Sequence, residues 1–125
     1  MKNLFFIMLP IIVFLFACKE DDDLIACTME FRTIGINVNG GELEDYFTIR
    51  EINDDTIRFD QFNPFQSNYY TVLDDNFTFQ LSNKPPENFT FIGIIDNAVV
   101  VEESFVITAD ECHIELISGN TSIDL

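Results

Sequence analysis

The side chains best suited to chemistry are three cysteines and one histidine, and two of them are adjacent. His113 directly follows Cys112, whereas Cys18 and Cys27 lie near the N-terminus. Neighbours on a β-strand point to opposite faces, so a strand here would keep Cys112 and His113 from ligating one metal ion. Nucleophilic catalysis through His113 would need a partner and an oxyanion donor, and no glycine-rich elbow signature accompanies it. We therefore expect a structural or solvent-facing His113.

Acidic pairs recur along the chain and form a second group of candidates. They are Asp54-Asp55, Asp74-Asp75, Glu102-Glu103 and Asp110-Glu111. A glycosidase needs two carboxylates about 5–10 Å apart in a sugar-binding cleft, and a small chain without tryptophan offers little of one. Acid-rich turns could instead bind calcium, but the calcium-loop motif is absent. We interpret the pairs as solvated turns and expect neither a metal nor a cofactor.

The first 18 residues have the pattern of an exported, lipid-modified protein. Lys2 supplies one positive charge, and residues 4–16 carry none. This apolar run is shorter than the roughly 18 to 20 residues that cross a bilayer, which favours a cleaved signal peptide over a permanent anchor. Leu15-Phe16-Ala17-Cys18 resembles the bacterial lipobox, although Phe16 is larger than the residue usual there. The resemblance implies a signal peptide of residues 1–17 and lipid, palmitate included, on Cys18; a secreted protein with a free Cys18 is the alternative.

An acidic run follows the lipid site. Lys19-Glu20-Asp21-Asp22-Asp23 has nothing to bury, so residues 18–26 are expected to form a solvated tether. The run also resembles the export signal that follows the lipidated cysteine in surface-exposed Bacteroidetes lipoproteins. That resemblance implies an outer-membrane protein that faces the cell exterior. An ordinary acidic spacer on a periplasm-facing protein is the alternative.

The charge of the mature chain excludes several classes of partner. Removal of residues 1–17 leaves 108 of the 125 residues, a length that suits one domain. Without Lys2, five basic residues remain against 22 acidic ones, a formal net charge of −17. Such a field repels nucleic-acid phosphates and anionic lipid headgroups. We therefore expect no nucleic-acid partner and attachment to the membrane through the N-terminal lipid alone.

Cys27 and Cys112 are predicted to form a disulfide. Lipidation would use Cys18, which leaves an even number of cysteines in an oxidising compartment. Both are expected to begin strands, with side chains that point inward like those of Met29 and Ile114. Such a bridge would tie the first strand to the penultimate one and contribute up to about 4.6 kcal/mol. Two buried free thiols are the alternative.

Short apolar runs between turn residues predict an all-β domain over residues 27–125. Runs rich in β-branched and aromatic residues recur about every ten residues, and no helix of three turns is expected. A slip in the alternation near Arg32-Thr33 predicts a β-bulge in the first strand. The expected strands cover residues 27–38, 47–49, 57–59, 69–73, 77–81, 89–95, 99–101, 105–108, 112–117 and 121–125.

A hairpin is expected around the turn sequence Asp74-Asp75-Asn76. Phe77, Phe79 and Leu81 alternate with polar residues, which predicts a strand with those three side chains inward. Residues 82–88 contain two consecutive prolines and are expected to form a loop.

The longest predicted connection carries aromatic residues. Phe62 and Phe65 lie in the loop, and Tyr69 and Tyr70 lie in the strand that follows it. Long loops on rigid sandwiches often carry binding surfaces, so these four are candidates for ligand contact. Packing in the core, with Tyr69 or Tyr70 outward, is the alternative.

Both ends of the domain carry residues shared with a known family. They are Ala26-Cys27-Thr28, Phe31-Arg32-Thr33-Ile34, residues 107–114 and Ser118-Gly119. In these motifs the chain resembles small Bacteroidetes surface lipoproteins with a transthyretin-like, carboxypeptidase-regulatory-like β-sandwich. The resemblance implies a single antiparallel sandwich of seven or eight strands, transthyretin-like or immunoglobulin-like, with Cys27 and Cys112 close enough to bond. That family has no assigned function, and a shared fold does not supply one.

A glycosylation motif is the last candidate site. Asp55-Thr56-Ile57 resembles the Bacteroidetes O-glycosylation motif, which implies Thr56 as the acceptor. An ordinary strand start is the alternative.

The sequence as a whole favours a non-catalytic binding or adhesion module at the cell surface. The tether, the size and the lack of a catalytic constellation support this class, and the ligand could be a protein or a glycan. An accessory or structural lipoprotein of an envelope complex is the alternative. We do not expect an enzyme.

Overall fold

The computed structural model of the protein describes residues 26–59 and 68–125. The expected signal peptide, Cys18 and the acidic run from Lys19 to Asp23 lie outside the described residues. Two of the aromatic candidates, Phe62 and Phe65, lie outside them as well.

Two β-sheets make up most of the described part, which confirms the all-β class. The first sheet contains β1 (Thr33–Asn39), β4 (Tyr69–Asp74) and β8 (Ser122–Asp124), in the order β4-β1-β8. The second contains β2 (Asp45–Arg50), β3 (Asp55–Ile57), β5 (Glu87–Ile95), β6 (Ala98–Ala109) and β7 (Ile114–Ser118), in the order β3-β2-β5-β6-β7. Neighbouring strands are antiparallel except β1 and β8, which run parallel.

The apolar core lies between the two sheets. Phe89, Phe91 and Phe105 of the five-stranded sheet are fully buried, as are Ile36 and Val72 of the three-stranded sheet. Alternate residues along each strand point inward, so both sheets contribute one apolar face to the same core. A hydroxyl also joins them, since Thr48 donates to the Val72 carbonyl oxygen at 2.7 Å.

Residues 75–81 are helical, so the prediction of a strand from Phe77 to Leu81 is wrong. Asp74 accepts a hydrogen bond from the Asn76 N–H and starts a 3-10 turn (Asp75–Phe77), which a one-turn helix, α1 (Thr78–Leu81), continues. A short polar side chain at such a position competes for backbone donors and favours a turn over a ladder. Leu81 is buried on this helix, whereas Phe79 is exposed.

The first strand is shorter than expected. It begins at Thr33, and its register shift falls between Ile34 and Gly35, two residues beyond the predicted bulge. Met29 and Phe31 are exposed, so the expectation that Met29 points inward with Cys27 is wrong. The Arg32 N–H donates to the Asp75 carboxylate and not to a backbone carbonyl oxygen, and the regular ladder stops at this point.

The strands predicted at residues 99–101 and 105–108 are one continuous strand, β6, of 12 residues. The sequence between them contains Glu102 and Glu103, which interrupt the apolar pattern. Glu102 is exposed and pairs with Ile92 of β5, so a charged residue occupies a solvent-facing position inside a regular ladder.

The two ends of the sandwich differ in what lies there. One end, which we call the tether end, carries residues 26–32, the start of β1, helix α1 and residues 110–113. The opposite, far end carries the β5–β6 turn, where Asp96 and Asn97 both have positive φ, as a tight two-residue hairpin turn requires.

Candidate functional site

The predicted disulfide between Cys27 and Cys112 is present at the tether end. Their Cα atoms lie 5.2 Å apart, within the range that a disulfide allows. Neither cysteine lies on a strand, because Cys27 precedes β1 and Cys112 precedes β7. The bridge therefore fastens the N-terminal segment to the β6–β7 connection and does not join two core-facing strand positions as expected.

His113 is a buried structural residue that links three segments of the chain. Its Nδ1 lies 2.7 Å from Asp75 Oδ2, and its Nε2 lies 2.9 Å from Thr28 Oγ1. The ring thus connects the segment before β1, the 3-10 turn and the start of β7. Of the two expectations for His113, structural or solvent-facing, its burial and its two hydrogen bonds agree with the structural one.

Asp75 is the acceptor that organises this contact. Its two carboxylate oxygens accept the backbone N–H groups of Arg32 at 2.7 Å and Ile114 at 2.9 Å, and its own N–H donates to the Arg32 carbonyl oxygen at 3.0 Å. Burial raises the pKa of the Asp75 carboxyl, but these hydrogen bonds and that of His113 outweigh it, so the pKa lies below its usual range. The ionised Asp75 carboxylate can accept only, so Nδ1 of His113 donates to it, and Nε2 of the same ring lies within hydrogen-bond distance of the Thr28 hydroxyl.

Asp110 shapes the loop that presents His113. Its Oδ1 accepts the backbone N–H groups of Cys112 and His113, each at 2.7 Å, and these bonds lower the pKa of the Asp110 carboxyl. The Ser82 hydroxyl lies 2.7 Å from the Asp110 carbonyl oxygen and so ties α1 to the same loop. The acidic pair Asp110-Glu111 is thus partly a structural turn.

We call Cys27, Thr28, Asp75, Cys112 and His113 the staple. Its hydroxyl, imidazole and carboxylate have the order found in nucleophile–base–acid catalysis, in which a third group orients the base. Acyl transfer also requires free donors for the developing oxyanion. The four neighbouring backbone N–H groups already bond to the Asp75 and Asp110 carboxylates. The arrangement attaches the N-terminal segment to the rest of the domain.

The sequence did not reveal the contact of Thr28, His113 and Asp75. These residues are separated by 85 and 38 positions along the chain, and no spacing rule connects them. Asp75 belongs to an acidic pair predicted to be a solvated turn, and that prediction is wrong for Asp75, because its side chain is almost completely buried. Only its position opposite His113 gives it this role.

The aromatic candidates for ligand contact lie in different environments. Tyr70 is buried, its hydroxyl accepts the Leu43 N–H at 2.9 Å, and its ring centroid lies 4.9 Å from that of Tyr46. This position agrees with the core-packing alternative. Tyr69 is half-buried and lies over Gly35, where a Cβ atom would collide with its ring.

The proposed glycosylation site, Thr56, lies on the surface. Thr56 is exposed on β3, an edge strand of the five-stranded sheet.

Over residues 26–59 and 68–125, no group of three or more His, Cys, Asp or Glu side chains could hold a metal ion. Within those same ranges, no helix is long and apolar enough to cross a membrane.

Comparisons with known proteins returned nothing similar. No protein-family model matches the chain, and searches of curated proteins and of solved structures found no match. The class of protein is therefore defined by fold and site alone. It is a two-sheet β-protein whose N-terminal segment is fastened to one end by a disulfide and a buried histidine.

Proposed function

We propose that the protein is a lipid-anchored, surface-exposed module that binds a protein or glycan ligand without catalysis. In this proposal residues 1–17 are a cleaved signal peptide, Cys18 carries lipid and residues 19–23 direct export to the outer face of the outer membrane. The single observation that supports it best is the staple. A domain held by an N-terminal lipid needs a fixed junction between tether and fold, and the disulfide and His113 provide one.

A non-catalytic role fits the use of the donor groups at the staple. The arrangement of Thr28, His113 and Asp75 resembles a nucleophile, a base and an acid. Attachment of the N-terminal segment accounts for it, because the three residues lie on different segments that their hydrogen bonds join. The nearby backbone donors are committed to carboxylates, which would also disfavour a developing negative charge.

The far end is the part of such a module that would meet a ligand. Anchoring at the tether end directs the far end away from the membrane. Val99 and Val100 are exposed beside the β5–β6 turn, and the half-buried Tyr69 begins β4 at the same end. Phe62 and Phe65 remain candidates for ligand contact. Thr56 is accessible for glycosylation in this proposal, because its strand is an exposed edge.

The finer fold assignment belongs to the same proposal. We infer a transthyretin-like sandwich in which β1 to β8 form both layers. The two facing sheets and their shared core support this inference. The parallel pairing of β1 with β8 is a departure from a purely antiparallel sandwich.

Lipidation is tested by replacing Cys18. In the Cys18→Ala variant, incorporation of radiolabelled palmitate should fall to background, and the protein should leave the membrane fraction or accumulate as the precursor. The matched control is the double variant Cys27→Ala with Cys112→Ala, which retains Cys18 and should keep its label. Undiminished palmitate incorporation in Cys18→Ala would contradict the proposal.

A further inference from the structure

The exposed large apolar side chains of the described residues form two groups that differ in exposure. Those at the tether end are 59–105% exposed, whereas the others are 40–57% exposed. The first group is Met29, Phe31, Ile52 and Phe79, and the second is Val99, Val100, Ile117 and Leu125. Single exposed apolar residues are normal on a protein surface, but several at one end indicate a contact surface.

Two members of the first group are connected through helix α1. Arg50 Nη1 donates to Gln80 Oε1 at 2.7 Å, which brings the end of β2 against α1. Ile52 lies two residues after Arg50, and Phe79 directly precedes Gln80. The β2–β3 turn and α1 therefore present their apolar side chains on neighbouring parts of the tether end.

The other two members lie on the N-terminal segment that the staple holds. Thr28, the neighbour of Met29, bonds to His113, and Arg32, the neighbour of Phe31, exchanges hydrogen bonds with Asp75. Because α1 continues the 3-10 turn that starts at Asp75, this segment lies beside α1. We call Met29, Phe31, Ile52 and Phe79 the apolar rim.

The rim lies close to the proposed lipid site along the chain. Cys27 is nine positions after Cys18, and a chain of that length spans at most about 30 Å in any conformation. The disulfide fixes Cys27 to the tether end, so this limit applies to the folded domain. By contrast, β6 runs for 12 residues from the far end to the tether end, about 40 Å, and keeps Val99 and Val100 away from the anchor.

We propose that the apolar rim rests in the headgroup region of the bilayer that holds the lipid of Cys18, an inference that depends on the lipidation proposed above. The tether makes this contact intramolecular, so a few apolar side chains suffice to hold it at high effective concentration. Acids exposed at this end, among them Glu30, Asp54 and Glu111, disfavour anionic headgroups. The surface that fits the rim is therefore one of neutral, zwitterionic lipid.

The test uses tryptophan as a depth probe, because the chain contains none of its own. The Phe79→Trp and Val99→Trp variants of the full-length protein are purified from membranes and reconstituted into phosphatidylcholine vesicles with or without bromine on the acyl chains. Tryptophan emission at position 79 should shift to the blue and be quenched several-fold more strongly by bromine than emission at position 99. Ile52→Trp is a second rim probe in a separate turn and should behave like Phe79→Trp.

Mass spectrometry of the same preparations shows whether Cys18 carries lipid. Lipidated protein with equal or no quenching at positions 79, 52 and 99 would overturn the rim proposal and leave the proposed function intact. A blue shift at position 79 without quenching would also overturn it, because a protein partner would then cover the rim. Unlipidated protein would refute the proposed function and, with it, the membrane contact.

Discussion

The residue with the most consequences at the tether end is Asp75. It accepts hydrogen bonds from two backbone N–H groups and from His113, and its side chain is almost completely buried. Hydrogen bonds to a buried carboxylate are stronger than those between neutral groups. Loss of the carboxylate would leave three donors, from two other segments of the chain, without a charged acceptor.

Replacing Asp75 by Asn should lower the free energy of unfolding at pH 7 by about 1–3 kcal/mol, because an amide accepts at one oxygen only. The folded-state pKa of Asp75 is lower than the unfolded value. Its contribution is therefore complete above the unfolded pKa, near 3.9, and is lost as the pH falls through the folded pKa.

Urea unfolding of both proteins from pH 7 down to about pH 2 measures this difference. The difference in the free energy of unfolding between the natural protein and Asp75→Asn should be largest at neutral pH and should disappear in acid. The exposed Glu102→Gln serves as the control and should show no such gap. A gap that is constant with pH would show that the Asp75 charge does not stabilise the fold.

Helix α1 is the element that decides how the chain passes from one sheet to the other. It follows β4 through the 3-10 turn Asp75–Phe77, and the loop after it leads into β5. Asp74 starts the turn, and buried Thr78 and Leu81, three residues apart, place one face of the helix on the core. The alternation of Phe77, Phe79 and Leu81 by itself predicts a strand, so the cap at Asp74 and the joint burial of Thr78 and Leu81 select the helix.

Replacing Leu81 by Ala should lower the free energy of unfolding by about 2–5 kcal/mol, because it leaves a cavity under α1. Replacing Phe79 by Ser should change it by less than about 0.5 kcal/mol, since that side chain is 93% exposed. Chemical denaturation of the two variants beside the natural protein measures both values. Similar large losses for both would indicate that residues 77–81 form the strand with both side chains inward.

Across the whole molecule, the disulfide is the longest-range covalent constraint between described residues. It joins positions separated by 85 residues and closes most of the domain into one loop. A chain with 22 acidic and six basic residues also repels itself, so a constraint on the unfolded state is especially useful here. The same bond fixes where the proposed tether leaves the fold.

Replacing Cys112 by Ser should lower the free energy of unfolding by about 2–5 kcal/mol, because the unfolded chain regains its entropy. Thermal and urea denaturation measure the loss, and the Cys27→Ser with Cys112→Ser double variant controls for the lone thiol left by the single change. Alkylation without reductant followed by mass spectrometry supplies a direct check. Full alkylation of Cys27 and Cys112 in the native protein would contradict the bond.

Local patterns in the sequence determined much of the fold. Short runs of β-branched and aromatic residues between turn residues identified β2, β4 and β5, because these signals act within a few residues. Cysteine parity predicted the bond between Cys27 and Cys112. The expected signal peptide, the lipid site at Cys18 and the export signal are also read from local sequence, and they remain predictions.

The tertiary structure decided where the local patterns are used. Alternation predicts a strand at Cys27, yet β1 begins only at Thr33, because the Arg32 N–H donates to the Asp75 carboxylate. The contact of Thr28, His113 and Asp75 joins residues from three distant segments, and only the packing of the two sheets brings them within 3 Å. Hydrogen bonds of this kind depend on position in space, which short-range sequence periodicity does not encode.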